Sequence, residues 1–347
     1  MKKGRNYYCY FCKFIFFLRI RAIALFVFIP AFWYGCSSED YTSYIPEELS
    51  VTSTSFAIPE SRSGGNGHID IFIFNDDRLK RIDSYQRVEW SGGKINLASR
   101  RGDKIVVAIA NSYKGYDYWK WTSSYEGLSQ ETALLSEENT EFPIMSGERH
   151  ITAGSSEIYP LDMRKLMSQI YVRSLKTDFR GTEFAGEPLE DVKIYLTNVS
   201  ASCPLSGAEK YNPESIINLG ALDMDAIEDF KDIALIVQDI GKVDSKGLSR
   251  PVSLFCYPSD HETETAGSPF TRLVIEGCIR GNKYYYPITI HRDDGHIGIE
   301  RNCRYIYDIT ICRSGTSDPD IPVSIEDIMI SGEIVPWTEK DNENIRF

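Results

Sequence analysis

A chain of 347 residues with 42% apolar and 25% charged residues can bury a sizeable core, and at roughly 100–200 residues per domain it divides by default into two domains. Its 50 acidic residues outnumber its 38 basic ones, and a net charge of −12 repels phosphate backbones, which argues against nucleic acid as a partner. With 21 Tyr and 17 Phe, the composition favours strands.

Residues 1–35 read as a secretory signal peptide. Lys2, Lys3, Arg5, Lys13, Arg19 and Arg21 come first, no acidic residue interrupts them, and the apolar run 22–35 follows. As a helix that run would span only about 21 Å, short of the ~30 Å hydrocarbon core, so a cleaved signal is favoured over a permanent anchor. It ends in Trp33-Tyr34-Gly35-Cys36-Ser37-Ser38-Glu39-Asp40. A small residue directly before Cys resembles the bacterial lipobox, although Trp33 stands where a Leu-like residue is usual. The resemblance implies cleavage before Cys36, acylation of Cys36 by chains such as palmitate, and residence as an outer-membrane lipoprotein. Glu39 and Asp40 resemble the surface-export signal of Bacteroides-type lipoproteins. A plain signal peptide with Cys36 incidental is the competing reading. Without the signal, 32 basic residues face 50 acidic ones, a net of −18.

Residues 36–67 form a tether rich in Ser, Thr, Glu and Gly, with a candidate first strand near 49–57 that alternates poorly. Its end, Ser61-Arg62-Ser63-Gly64-Gly65, reads as a flexible loop. A strand over 68–74 places Ile69, Ile71 and Ile73 on one face, and Asn75-Asp76-Asp77 turns the chain. The strand over 104–110 is apolar on both faces. Residues 130–139 read as a helix capped by Ser129. Short strands follow at 169–175, 192–199 and 253–257, with a short helix at 223–232. The strands 273–279 and 284–290 flank Arg280-Gly281-Asn282-Lys283 and predict a hairpin around a Gly-Asn turn. The strand over 304–312 lines up Tyr305, Tyr307, Ile309 and Ile311, and a last strand region covers 325–335. No βαβ rhythm appears. The expected fold is mainly β, with two tandem β-sandwiches over 68–159 and 160–347 and a boundary near Tyr159-Pro160.

The chain lacks a recognisable catalytic constellation, so the reading is a protein that is not an enzyme and needs no cofactor or metal. None of His68, His150, His261, His291 and His296 has metal-ligand spacing. The stretch 291–296 holds two His around two acids and reads as a hairpin tip. Ser259-Asp260-His261 contains triad residue types, but sequence neighbours do not reach triad geometry. Cys9 and Cys12 fall inside the signal. Cys203, Cys256, Cys278, Cys303 and Cys312 read as buried free thiols, with one disulfide left open. The aromatic cluster Tyr113, Tyr116, Tyr118, Trp119, Trp121 and Tyr125 is either packing over the first sandwich, the favoured reading, or an exposed binding patch.

Several segments in order carry a family resemblance. They are the strand over 69–74 with its acidic turn, Gly102-Asp103-Lys104-Ile105-Val106-Val107-Ala108-Ile109-Ala110-Asn111, Pro143-Ile144-Met145-Ser146-Gly147, Arg301-Asn302-Cys303-Arg304-Tyr305 and Val335-Pro336-Trp337. Together with the lipobox they resemble the fimbrillin superfamily of Bacteroides-type surface fimbriae. That resemblance implies two transthyretin-like β-sandwiches, export as a surface lipoprotein, other fimbrial subunits as partners, and assembly by strand donation. It also implies a candidate protease site after Arg62, as in stalk subunits that lose their first strand, whereas anchoring subunits keep theirs. The alternative is a surface-tethered glycan- or protein-binding lipoprotein that does not polymerise. Stalk, tip or anchor role and any adhesion ligand stay open on sequence alone.

Overall fold

The computed structural model describes residues 51–58, 67–89, 93–206, 216–218, 233–259, 263–265, 269–324 and 327–337. The expected signal segment over 1–35, Cys36, Arg62, the expected helix at 223–232, and Asp260 and His261 lie outside the described residues.

The first nine strands are β1 (Val51–Ile58), β2 (His68–Asn75), β3 (Ile82–Glu89), β4 (Gly93–Arg100), β5 (Gly102–Ala110), β6 (Thr132–Leu134), β7 (Met145–Ala153), β8 (Ile158–Pro160) and β9 (Arg164–Lys165). Eight of them form two sheets, ordered β3-β2-β5-β7-β9 and β4-β1-β8. Period-2 alternation on β2 sends Ile69, Ile71 and Ile73 to one side, where they meet Phe56, Leu97, Val106, Ala108, Tyr159 and Leu161 in a closed apolar layer. Phe72 and Phe74 go to the other side, with Ile105, Val107 and Ile109 of β5. That face is covered by Trp119, Leu128, Leu135 and Ile144 from the connection between β5 and β7. Burial on both faces explains why β5 carries an unbroken apolar run.

The remaining strands are β10 (Ser168–Thr177), β11 (Leu189–Thr197), β12 (Val199–Ser200), β13 (Ser202–Pro204), β14 (Ile216–Ile217), β15 (Val237–Val243), β16 (Val252–Cys256), β17 (Arg272–Ile279), β18 (Asn282–Thr289), β19 (Cys303–Ile311) and β20 (Ile328–Pro336). They build two four-stranded sheets, ordered β16-β10-β19-β20 and β15-β11-β17-β18. Tyr305, Tyr307, Ile309 and Ile311 of β19 all point inward, as their alternation requires, and belong to the same apolar cluster as Ile194, Leu196, Leu273, Ile275 and Tyr286 of the other sheet. The β17–β18 hairpin turns at Arg280-Gly281, one residue before the expected Gly-Asn pair. Both turn residues have positive φ, 51° and 78°, as a two-residue turn of this hand requires. Arg280 holds that conformation while its guanidinium donates to Glu187 at 3.1 Å and to the Glu183 carbonyl at 2.8 Å.

The expected helix over 130–139 is not formed. The helix instead spans Tyr125–Ser129, capped by Ser124, whose hydroxyl accepts the Gly127 N–H at 3.2 Å. The chain then extends into β6, which pairs antiparallel with β13, so a tertiary ladder overrides local helix propensity. Behind it Glu138 is buried, accepting the Ile144 N–H at 3.0 Å and the Tyr257 hydroxyl at 3.1 Å. Between the two sheet pairs, Arg301 donates to the Arg164 carbonyl at 2.9 Å, the Ser146 hydroxyl at 3.1 Å and the Lys165 carbonyl at 3.3 Å. The Lys165 ammonium lies 3.9 Å from the Trp337 ring centroid, a cation–π contact that fixes the end of β20 beside β9.

Glu138 makes this junction sensitive to pH. Burial pushes its carboxyl up from the ordinary 4.5 to about 7, against hydrogen bonds that favour the anion. The folded chain therefore keeps a proton that the unfolded chain releases near 4.5, and stability falls as pH rises from there through about 7. The loss expected across that window is on the order of 3 kcal/mol. Glu138→Gln should flatten the slope, which denaturant unfolding at about pH 5 and about pH 8 would measure.

Candidate functional site

β1 is the first described strand and lies in the middle of its sheet. It runs antiparallel to β4 from Val51↔Arg100 to Ile58↔Gly93, and parallel to β8 from Ser55↔Ile158 to Ala57↔Pro160. Its residues, Val-Thr-Ser-Thr-Ser-Phe-Ala-Ile, are rich in β-branched types but offer few apolar groups on the inward face. Thr54 and Phe56 point inward and are fully buried. The Phe56 ring meets Tyr159 at 6.1 Å, and the Tyr159 hydroxyl donates to the Thr152 carbonyl at 3.2 Å. Ser55 donates to Asn96 at 2.8 Å, and the Ala57 carbonyl accepts the Leu161 N–H at 2.9 Å.

Loss of a middle strand has a different consequence from loss of an edge strand. Without β1, both β4 and β8 present unpaired backbone groups, and Leu97, Tyr159 and Leu161 lose their cover. The resulting slot is one strand wide, with hydrogen-bonding edges on two sides and an apolar floor. Such a slot accepts an extended segment whose alternate side chains are apolar. A second groove, of about 880 Å³, runs between β18 and β20, which are edge strands of their sheets. Ile288, Tyr307, Ile330 and Ile334 line it, and Ile330 is 43% exposed although it follows the inward register of Ile309.

No family model matches this chain, and no curated protein matches it by sequence. Solved structures do. A fimbrilin from Porphyromonas gingivalis superposes with a TM-score of 0.57 at 17% identity, covering 82% of this chain and 97% of that one. A protein from Bacteroides eggerthii whose name links it to cell adhesion gives 0.60 at 15% identity, covering 84% and 97%. The tip fimbrial protein Mfa3 from Porphyromonas gingivalis gives 0.50 at 13% identity, covering 83% and 100%. The chain has a fimbrillin-type fold. At these identities the likeness concerns architecture, and the mainly β arrangement expected from the sequence is the one observed.

Within the fimbrillin-type fold the other sequence candidates separate. Cys203, Cys256, Cys278, Cys303 and Cys312 are all free thiols. Burial pushes Cys203 and Cys256 up to about 12, which leaves them unreactive near neutrality. The segment 291–296 is a hairpin tip, with His291 bridged to Ile297 and Arg292 paired with Asp294 at 2.9 Å. Ser259 sits in a backbone bridge with Ile299. Among the described residues no group of His, Cys, Asp and Glu is placed to hold a metal ion. The aromatic cluster divides: Trp119 is fully buried against Phe72 and Tyr125 is half-buried against Phe74, while Tyr113, Tyr116, Tyr118 and Trp121 are exposed. Sequence reasoning missed the groove beside β20 and the buried Glu138–Tyr257 and Arg301 contacts. Their partners are distant in sequence, and the only local trace is the polar Glu138 beside Leu135.

Proposed function

We propose that this chain is a structural or anchoring subunit of a cell-surface fimbria. In this reading it is exported as a lipoprotein, held in the outer membrane through Cys36, exposed at the cell surface, and joined to other fimbrial subunits by strand donation. It has no enzymatic role and needs no cofactor. The observation that carries the reading is the position of β1 in the middle of its small sheet. A strand placed there completes a sandwich from within, and a neighbour's strand could take over the same two edges and the site of Phe56. Arg62 follows Ile58 by four residues and precedes His68 by six, so a cut after it would separate β1 from β2. Cleavage there suits a stalk subunit, and retention of β1 suits an anchoring one.

Recovery of the protein from cells tests both halves of the reading. Cys36→Ala should shift the chain from the membrane fraction to the soluble one, because two or three acyl chains at about 0.8 kcal/mol per buried CH₂ hold firmly where one is marginal. If the Ala variant still partitions wholly with membranes, the anchor lies elsewhere. N-terminal analysis of the same material separates the roles. A terminus at Ser63 in complexes that resist mild detergent marks a stalk subunit, and a chain intact from Cys36 marks an anchoring or accessory one. The exposed aromatics of residues 113–121 favour a second reading, a tethered glycan- or protein-binding lipoprotein.

A further inference from the structure

The connection after β5 places four large aromatic side chains in solvent within nine residues. Trp121 is 78% exposed and Tyr116 is 52% exposed, with Tyr113 and Tyr118 close to half. Contiguous exposed rings on a folded surface mark a binding face. These rings are held in place. Trp119 is locked in the core edge-on to Phe72 at 5.4 Å, and Tyr118 meets it edge-on at 5.0 Å. Tyr116 stacks on Tyr85 at 5.6 Å, and Tyr85 stacks on Phe72 at 5.0 Å. The Lys120 ammonium links Tyr116 and Trp121 at 5.9 and 5.4 Å, and Lys114 links Tyr118 and Tyr113 at 4.5 and 6.0 Å. Each exposed ring of this platform is thus held by a buried ring or a lysine ammonium, which lowers the ordering entropy that would oppose binding.

A polar pocket of about 300 Å³ adjoins the platform and shares Tyr113 and Lys114 with it. Its wall holds Asp70, buried and gripped by Nε and Nη2 of Arg87, each at 2.9 Å, and by the Tyr85 hydroxyl at 2.6 Å. His68, Asn111 and Ser112 complete the polar lining. Each cation of the region already has an acid: Arg87 has Asp70, Lys114 has Glu131, and Lys120 has Asp117. These three cations are therefore already neutralised and offer little attraction to an anion. Flat apolar ring faces beside a small pocket of planar hydrogen-bonding groups match a molecule with C–H faces and many hydroxyls. We propose that this face binds a neutral saccharide, with a sugar ring stacked on the platform and a neighbouring residue of the same glycan in the pocket.

The proposal stands apart from strand donation, whose elements lie at β1, and each can fail without the other. The test uses the full mature chain carrying Cys36→Ala, applied to an array of neutral glycans ending in N-acetylhexosamine, galactose, mannose, glucose or fucose, with sialylated and sulfated glycans alongside. Neutral glycans should be retained. Titration with the best-retained neutral glycan should weaken by roughly tenfold or more for Trp121→Ala and for Tyr113→Ala, both exposed positions, and stay unchanged for Met329→Ala on β20. Retention of no neutral glycan, retention of anionic glycans alone, or undiminished binding by both aromatic variants would overturn the proposal. So would self-association that Trp121→Ala abolishes in a chain that retains no glycan, since the platform would then be a contact between copies.

Discussion

Ile309→Asp is expected to unfold the second pair of sheets or leave it barely folded. Ile309 is 1% exposed in the middle of β19, in the apolar layer with Tyr305, Tyr307 and Ile311. A carboxylate there would have neither water nor a partner, a cost on the order of 3–5 kcal/mol. That removes most of the stability of a domain at the low end of the usual range of about 5–15 kcal/mol. The neighbouring Asp308→Ala provides the contrast. Asp308 faces outward and holds Arg173 and the Ser174 hydroxyl in a half-exposed cluster, so its loss should cost about 1 kcal/mol or less. Thermal unfolding followed by circular dichroism reads both, and equal shifts from the two variants would refute the facing of β19.

Release of β1 is expected to have an effect at least as large. Phe56→Ala alone should cost about 3–5 kcal/mol, because the ring is fully buried between Tyr159 and the β2 isoleucines. Removing the whole strand also strips eight backbone pairings from β4 and three from β8. A chain starting at Ser63 should therefore melt well below the intact one or associate with its own kind. An added peptide with the sequence of residues 51–58 should restore much of the midpoint, since strand and slot keep their complementarity when the covalent link is cut. A chain from Ser63 that stays monomeric, melts like the intact protein and ignores the peptide would show that the slot needs no strand.

Much of the frame was legible because its causes are local. β19 alternates cleanly, and β2 and β5 carry apolar residues on both faces because both faces are covered. β1 was harder to read. Its buried residues among those whose side chains are described are Thr54 and Phe56, only one of them apolar, and its pairing with β4 and β8 reinforces a weak strand pattern. Residues 130–139 carry a helical pattern, yet β13 recruits 132–134 into a ladder across about seventy intervening residues. The aromatic cluster could not be resolved by composition, since Trp119 closes a four-residue helix and is buried while Trp121, two positions on in the following turn, is exposed. Glu138 looks like an ordinary surface acid in sequence. Its burial depends on Tyr257, which lies 119 residues away.

The most direct test of the fimbrial reading is electron microscopy of cells with and without this protein. The account predicts that cells lacking it lose their surface filaments, bear them altered in length, or shed them into the medium, and that returning the gene restores attachment. Filaments unchanged in number, length and attachment would contradict it.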